Sequence, residues 1–173
     1  MINFFRKMRH HLMAKKRNKS ESIQYALVRG EIKSGHGVAS GKGKDERYPE
    51  GTLKQQFRHF LEQGLDLSNY FMGTINLDIS PNAYEIKKPK YFFKNIDWSD
   101  YIPPENFYFF DVSLYYNDKT YQGLVYMPDP ETKEDHMQKP TILELILPKI
   151  KGLEYGVIVD IALKKDQLKI ITN

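Results

Sequence analysis

Between residue 23 and the C-terminus, apolar side chains recur on alternate positions, or in short unbroken runs, at seven places, and at helical spacing at one. A period of two places a strand's side chains on opposite faces of a sheet, whereas a period near 3.6 makes one stripe along a helix. The strand-like runs are residues 23–33, 73–79, 107–116, 119–127, 141–147, 155–163 and 168–172. Within the first, Ile23, Tyr25, Leu27 and Ile32 are the inward candidates. Asn117-Asp118, between two aromatic-rich runs, reads as a hairpin turn. One helix among six or seven strands joined by irregular loops calls for a mostly β domain, a small barrel or a sandwich.

The helical segment is residues 52–63. Thr52 and Gln55 have the spacing of a capping box, Leu53, Phe57, Phe60 and Leu61 form the apolar stripe, and Gly64 is a stop signal. Residues 34–51, SGHGVASGKGKDERYPEG, hold five glycines and several lysines, which rules out a buried strand and predicts a loop. Residues 81–104 read as a long connection rich in Lys and aromatic side chains, and loops of that length are often functional or partly ordered by their own side chains.

A chain of 173 residues is of single-domain size. The 12 Tyr and 10 Phe supply aromatic area and favour strands. Without Cys, disulfides and thiolate metal sites are excluded, which suits a cytoplasmic setting. No apolar run reaches the roughly 18 residues needed to span a bilayer, and residues 1–19 lack the apolar core and cleavage site of a secretory signal. The net charge of +4 is modest but unevenly spread. Arg6, Lys7, Arg9, Lys15, Lys16, Arg17 and Lys19 precede the first acidic residue, Glu21, while Ile2, Phe5, Met8 and Leu12 lie at helical spacing. Residues 1–22 are therefore expected to form a basic extension, helical or disordered, ahead of a domain at 23–173. Contact with nucleic acid or an anionic membrane surface is the alternative reading of that charge.

Few residues point to chemistry by themselves. Clustered glycines at 34–43 let backbone N–H groups converge on an anion, but this is no Walker A loop. Five residues separate Gly35 from Gly41 where that motif has four, and Lys42 is followed by Gly43 in place of Ser or Thr. In Gly73-Thr74-Ile75-Asn76-Leu77, Thr74 and Asn76 project to the same face of a strand, and two neutral oxygens suit a Mg²⁺ otherwise held by phosphates and water. Equally, the pair would simply line a solvent face. Glu144 stands inside an apolar strand, so it is paired, exposed on one face, or placed for a ligand. His10, His11, His59 and His136 show no metal-like spacing, and no Ser-His-Asp or Cys-His set can be read from sequence order.

The order of these pieces is more informative than any of them. A strand running into Gly30-Glu31-Ile32-Lys33-Ser34-Gly35-His36-Gly37, then one amphipathic helix, then Gly73-Thr74-Ile75-Asn76-Leu77, resembles the archaeal CTP-dependent riboflavin kinases. The resemblance runs from about Arg29 to Leu163 and includes Glu144-Leu145-Ile146-Leu147-Pro148 preceded by a charged loop at 132–136. It implies a six-stranded cradle-loop barrel with one principal helix, transferring the γ-phosphoryl group of CTP to the 5′-hydroxyl of riboflavin to give FMN. By the same resemblance, Gly35, His36, Gly37, Val38, Ala39 and Ser40, with Lys149, Ile150, Lys151 and Gly152, would wrap the nucleotide. Thr74 and Asn76 would hold Mg²⁺. Glu144 would be the catalytic residue and contact the flavin together with Thr132. This chain departs from the family pattern where Ala39 stands for the third glycine of the loop. About five extra residues also precede the helix, which makes Arg47 and Tyr48 the counterparts of the family's Arg-Tyr or Ala-Tyr pair. A monomer is expected. The alternatives are a barrel that binds nucleotide or flavin without catalysis, and a nucleic-acid- or protein-binding module that uses the basic N-terminus.

Overall fold

A computed structural model describes residues 24–35, 46–133 and 139–172. The basic extension, Ile23, the loop residues His36, Gly37, Val38, Ala39 and Ser40, and His136 lie outside the described residues. The described residues form nine strands and one helix. These are β1 (Tyr25–Lys33), α1 (Thr52–Glu62), β2 (Ile75–Asp78), β3 (Ala83–Ile86), β4 (Tyr91–Ile96), β5 (Glu105–Tyr116), β6 (Lys119–Pro128), β7 (Ile142–Ile146), β8 (Ile158–Lys164) and β9 (Leu168–Ile171).

The main sheet runs β4-β5-β6-β7-β2-β1-β8, and β8 pairs in turn with β5, so six strands close into a ring. Closure depends on the length of β5. Its N-terminal half pairs with β4, through Phe107↔Phe93 and Phe109↔Tyr91, while its C-terminal half pairs with β8 on the same edge, through Val112↔Leu163 to Tyr115↔Asp160. The result is a β-rich, barrel-like fold in which every paired strand of the ring is antiparallel. At the β5–β6 hairpin, Asn117 and Asp118 take φ values of 47° and 57°, the left-handed pair that lets a two-residue turn follow the strand twist.

Alternation along each strand divides the apolar residues between two cores. Val28, Ile32, Leu77, Val112, Val125, Leu143, Leu145, Ile161 and Leu163 point into the ring. Outside it, Phe107, Phe109, Leu124, Tyr126 and Ile146 meet Leu53 and Phe60 of α1, Phe93 and Ile96 of β4, and Trp98. The pair β3–β9 packs Leu168, Tyr84 and Ile170 against the interior core, at the rim where β2 and β8 end.

Several sequence expectations change. In β1 Ile32 faces the interior as expected, but its inward companion is Val28, and Leu27 is 39% exposed, because the first half of the strand stands one residue out of the expected register. Such a shift turns the side chains of that half to the other face. The helix begins after Gly51, whose φ is 91°, and it has no side-chain cap, so Thr52 and Gln55 form no capping box; Thr52 is buried instead. Its buried stripe is Leu53, Gln56 and Phe60, with Phe57 half-buried and Leu61 48% exposed. Gly64, at φ 90°, ends the helix as expected, and Leu65 N–H returns to Phe60 O at 2.8 Å. The connection at 81–104 is not a loop, for it carries β3 and β4. No helix among the described residues is long and apolar enough to cross a membrane.

Candidate functional site

The site lies on the outer face of the ring, where β2 and β7 run side by side. Leu77, Leu143 and Leu145 face inward, which sends Asn76 and Glu144 outward as direct cross-strand partners. Thr74, just before β2, donates its hydroxyl to Glu144 Oε2 at 3.0 Å. On the other side of Glu144 its partner is Tyr126 of β6, whose hydroxyl donates to Gln56 Oε1 of α1 at 3.0 Å. Asn76 is 7% and Glu144 9% exposed, so both polar groups sit among apolar neighbours.

The start of the glycine loop reaches the same place. A Cβ built on Gly35 would lie 2.8 Å from Asn76 Nδ2 and 3.0 Å from Asn76 Oδ1, so the backbone passes close over that amide, and a larger residue there would require the Asn76 side chain to shift. Gly35, the Thr74–Asn76 pair and Glu144, distant in sequence from one another, are thus drawn together by the β1–β2–β7 ladder.

Strand direction extends this cluster both ways. Gly35 follows the end of β1, Thr74 precedes β2, and residues 147–157 link the end of β7 to the start of β8, so all three belong to one rim. In this rim segment Lys149, Lys151 and Gly152 are exposed, Ile150 packs against the interior core, and the Tyr116 hydroxyl donates to Gly152 O at 2.6 Å. The opposite rim carries a depression lined by Tyr84, Tyr126, Met127, Pro128, Pro130, Lys133, Ile142 and Glu144. Thr132 stands in the turn beside it, where its hydroxyl accepts from Asn106 N–H at 2.9 Å and donates to Asp129 O at 3.3 Å.

Burial, reinforced by the Glu144 carboxylate, raises the pKa of the Tyr84 hydroxyl above the ordinary phenol range. For Tyr126 the rise is larger, from burial first and then Glu144 and Glu105. Both phenols therefore remain neutral hydrogen-bond donors near neutral pH.

Sequence reasoning singles out Gly35, Thr74, Asn76, Glu144 and Thr132 but misses Tyr126, Gln56 and Lys133. Gln56 carries a usable signal, since it stands three residues after Leu53 on the very face that the helix buries. Among the described residues no three His, Asp or Glu side chains gather at metal-holding distance. No protein-family model and no curated protein matches this chain.

Proposed function

We propose that this chain is a flavin kinase of the archaeal CTP-dependent kind, transferring a nucleotide γ-phosphoryl group to the 5′-hydroxyl of riboflavin to give FMN and CDP. One observation carries the reading: Thr74, Asn76 and Glu144 meet on one face, with the Gly35 backbone close against Asn76. Phosphoryl transfer is largely a matter of positioning and charge neutralisation, and it needs an anion cradle, a cation and an aligned hydroxyl at one point. Support for each comes from a different direction along the outer face.

Gly35 and the exposed Lys149–Gly152 segment share a rim, which suits a nucleotide whose phosphates point toward Thr74. Residues 36–40 would contribute to nucleotide binding by resemblance alone. The hydroxyl of Thr74 and the amide oxygen of Asn76 are hard oxygen donors of the kind that suit Mg²⁺, beside the Glu144 carboxylate. Thr74 and Asn76 would hold this ion, which when bound offsets the charge of the phosphates. From the other rim, the small aromatic and proline-lined depression, about 50 Å³, would take one edge of a flat ring lying against it, with the ribityl chain toward Glu144. There the 5′-oxygen attacks the γ-phosphorus as the bond to the CDP oxygen breaks. Glu144 either orients the hydroxyl or takes its proton.

A second reading, a barrel that binds flavin or nucleotide without turnover, draws on the Thr74–Glu144 hydrogen bond, in which two of the proposed catalytic groups are engaged with each other. The same assay separates the two. Purified full-length chain is incubated with riboflavin, Mg²⁺ and CTP, ATP, GTP or UTP in turn, and FMN is quantified by chromatography. FMN formation is expected, with CTP the best donor. Asn76→Ala should lower turnover by about 10²-fold while circular dichroism stays unchanged, and Glu144→Gln should weaken flavin binding, turnover or both. Quenching of flavin fluorescence without FMN would select the second reading. Neither binding nor FMN with any donor would end both.

A further inference from the structure

Beside the depression, the turn at 129–133 is held far more firmly than a surface turn requires. Asp129 is 6% exposed, and its carboxylate accepts from Asn106 Nδ2 at 3.1 Å, from the Tyr108 hydroxyl at 3.2 Å and from Glu131 N–H at 3.1 Å. Its backbone carbonyl accepts from Thr132 N–H at 3.0 Å and Lys133 N–H at 2.9 Å, and its own N–H donates to Asn106 O at 2.9 Å. Thr132 closes the circle by accepting from Asn106 N–H at 2.9 Å. A buried carboxylate is costly unless its oxygens are satisfied, and here they are satisfied by groups that tie the turn to β5 at several points.

Lys133, half-buried in the wall of the depression, is the side chain that this clamp delivers. The remaining walls are Tyr84, Tyr126, Met127, Pro128, Pro130 and Ile142, and Glu144 is the other charged group. The depression is small, about 50 Å³, so it takes the edge of a ligand and not its whole body; an edge entering it needs hydrogen-bond donors toward Glu144 and an electronegative group toward Lys133. An ammonium is a compact point charge with three donors, suited to ring carbonyl or nitrogen acceptors.

We infer that Lys133 is the specificity-determining contact to the ring of the phosphoryl acceptor, and that Asp129 is the residue that positions it. Thr132 then acts through the turn, with its hydroxyl committed to the backbone of Asn106 and Asp129. The inference rests on the flavin kinase reading and assigns the ring-recognising group within it.

The test uses full-length protein. Riboflavin affinity is measured by fluorescence quenching, and apparent KM values for riboflavin and CTP are measured separately, for the parent chain and for Lys133→Met, Lys133→Arg and Asp129→Asn. Lys133→Met should weaken riboflavin binding about tenfold or more and raise the riboflavin KM by a similar factor, while leaving the CTP KM within twofold. Lys133→Arg should restore affinity to within about threefold of the parent, because charge and donors return. Asp129→Asn should reproduce the same split, with the riboflavin KM affected and the CTP KM spared, which a general loss of fold would not do. If Lys133→Met binds riboflavin as the parent does, this inference is overturned and the kinase reading stands. A parent chain that binds no flavin overturns both.

Discussion

The two cores of this protein are built from different side chains. Inside the ring, Leu, Ile and Val dominate, and Phe110 is the only aromatic among the fully buried members of that cluster. Outside it, under α1 and β4, Tyr48, Phe60, Phe93, Trp98, Phe107, Phe109 and Tyr126 make up most of the packing. The geometry of each space explains the choice. A six-stranded ring leaves a narrow interior that branched aliphatic residues fill from alternate positions. A helix lying across an open sheet face leaves wider gaps, and rings fill these with edge and stacked contacts, such as Phe60 against Phe107 and Phe109 with centroids 5.1 Å apart. The outer core borders the polar cluster directly, since Tyr126 belongs to it and pairs with Glu144. The inner core sets the ladder register that brings Asn76 to Glu144, and the outer core closes the face on which they stand.

The largest expected effect tests whether the two cores unfold as one. Phe60 is fully buried and touches three other rings. Phe60→Ala should destabilise the chain by about 3–5 kcal/mol in urea titrations. The single Trp, Trp98, lies in the outer core, so its fluorescence reports that region while far-ultraviolet circular dichroism follows the ring. Ile146 and Leu145 are neighbours on one strand yet belong to different cores, which couples the two, and the transitions should coincide. A Trp98 transition at lower urea than the ring would break the comparison and make α1 and β4 an appendage.

Much of this architecture is legible in the amino-acid sequence. The hairpin at Asn117-Asp118, the strands of the ring and the extent of α1 follow from turn chemistry and period alone. So does the shared face of Thr74 and Asn76, since alternation fixes it locally. Three things are not legible. The β1 face is ambiguous because Tyr25 and Leu27 look as apolar as Val28 and Ile32, and only pairing with β2 and β8 decides which set enters the ring. β3 and β4 escape notice because charged and polar residues interrupt their alternation, as Glu85, Lys94 and Asn95 do. The clamp on Asp129 depends on Asn106 and Tyr108, more than twenty positions away, and no local pattern announces it.

An intermediate effect separates polar ties on the ring from both cores. Asp111 on β5 accepts from Lys164 at 2.6 Å, Lys90 at 2.7 Å and Gln167 Nε2 at 3.0 Å, which joins β5 to β8 and to the β4 entry. Burial raises its pKa, but the hydrogen bonds from Lys164, Lys90 and Gln167 outweigh burial, and the folded value lies below the ordinary Asp value. A depressed folded pKa means that the stabilisation is fully present above the unfolded value of about 3.9 and is lost as pH falls through the folded one. Asp111→Ala should therefore cost about 1–3 kcal/mol at pH 7, and the difference from the parent should shrink as pH is lowered below about 4. A pH-independent difference would mean that Asp111 contributes through packing alone.

The smallest expected effect bears on which side of α1 faces the outer core. Helical spacing places Leu61 on the same stripe as Leu53 and Phe57, and on that basis its truncation would leave a cavity. In the folded chain the helix is rolled so that Gln56 occupies the stripe, drawn in by the Tyr126 hydroxyl at 3.0 Å, and Leu61 turns outward to 48% exposure. The roll exchanges an apolar contact for a buried hydrogen bond, which is tolerable because the amide and the phenol satisfy each other. Leu61→Ser should then shift the urea midpoint by no more than about 0.5 kcal/mol in equivalent stability, the range for surface substitutions. Gln56→Leu is the counterpart. It removes the acceptor of the buried Tyr126 hydroxyl and should cost more than Leu61→Ser, about 1–3 kcal/mol. If Leu61→Ser proves the more damaging of the two, the helix packs through its Leu53–Leu61 face, and Tyr126 is no longer held beside Glu144 by α1.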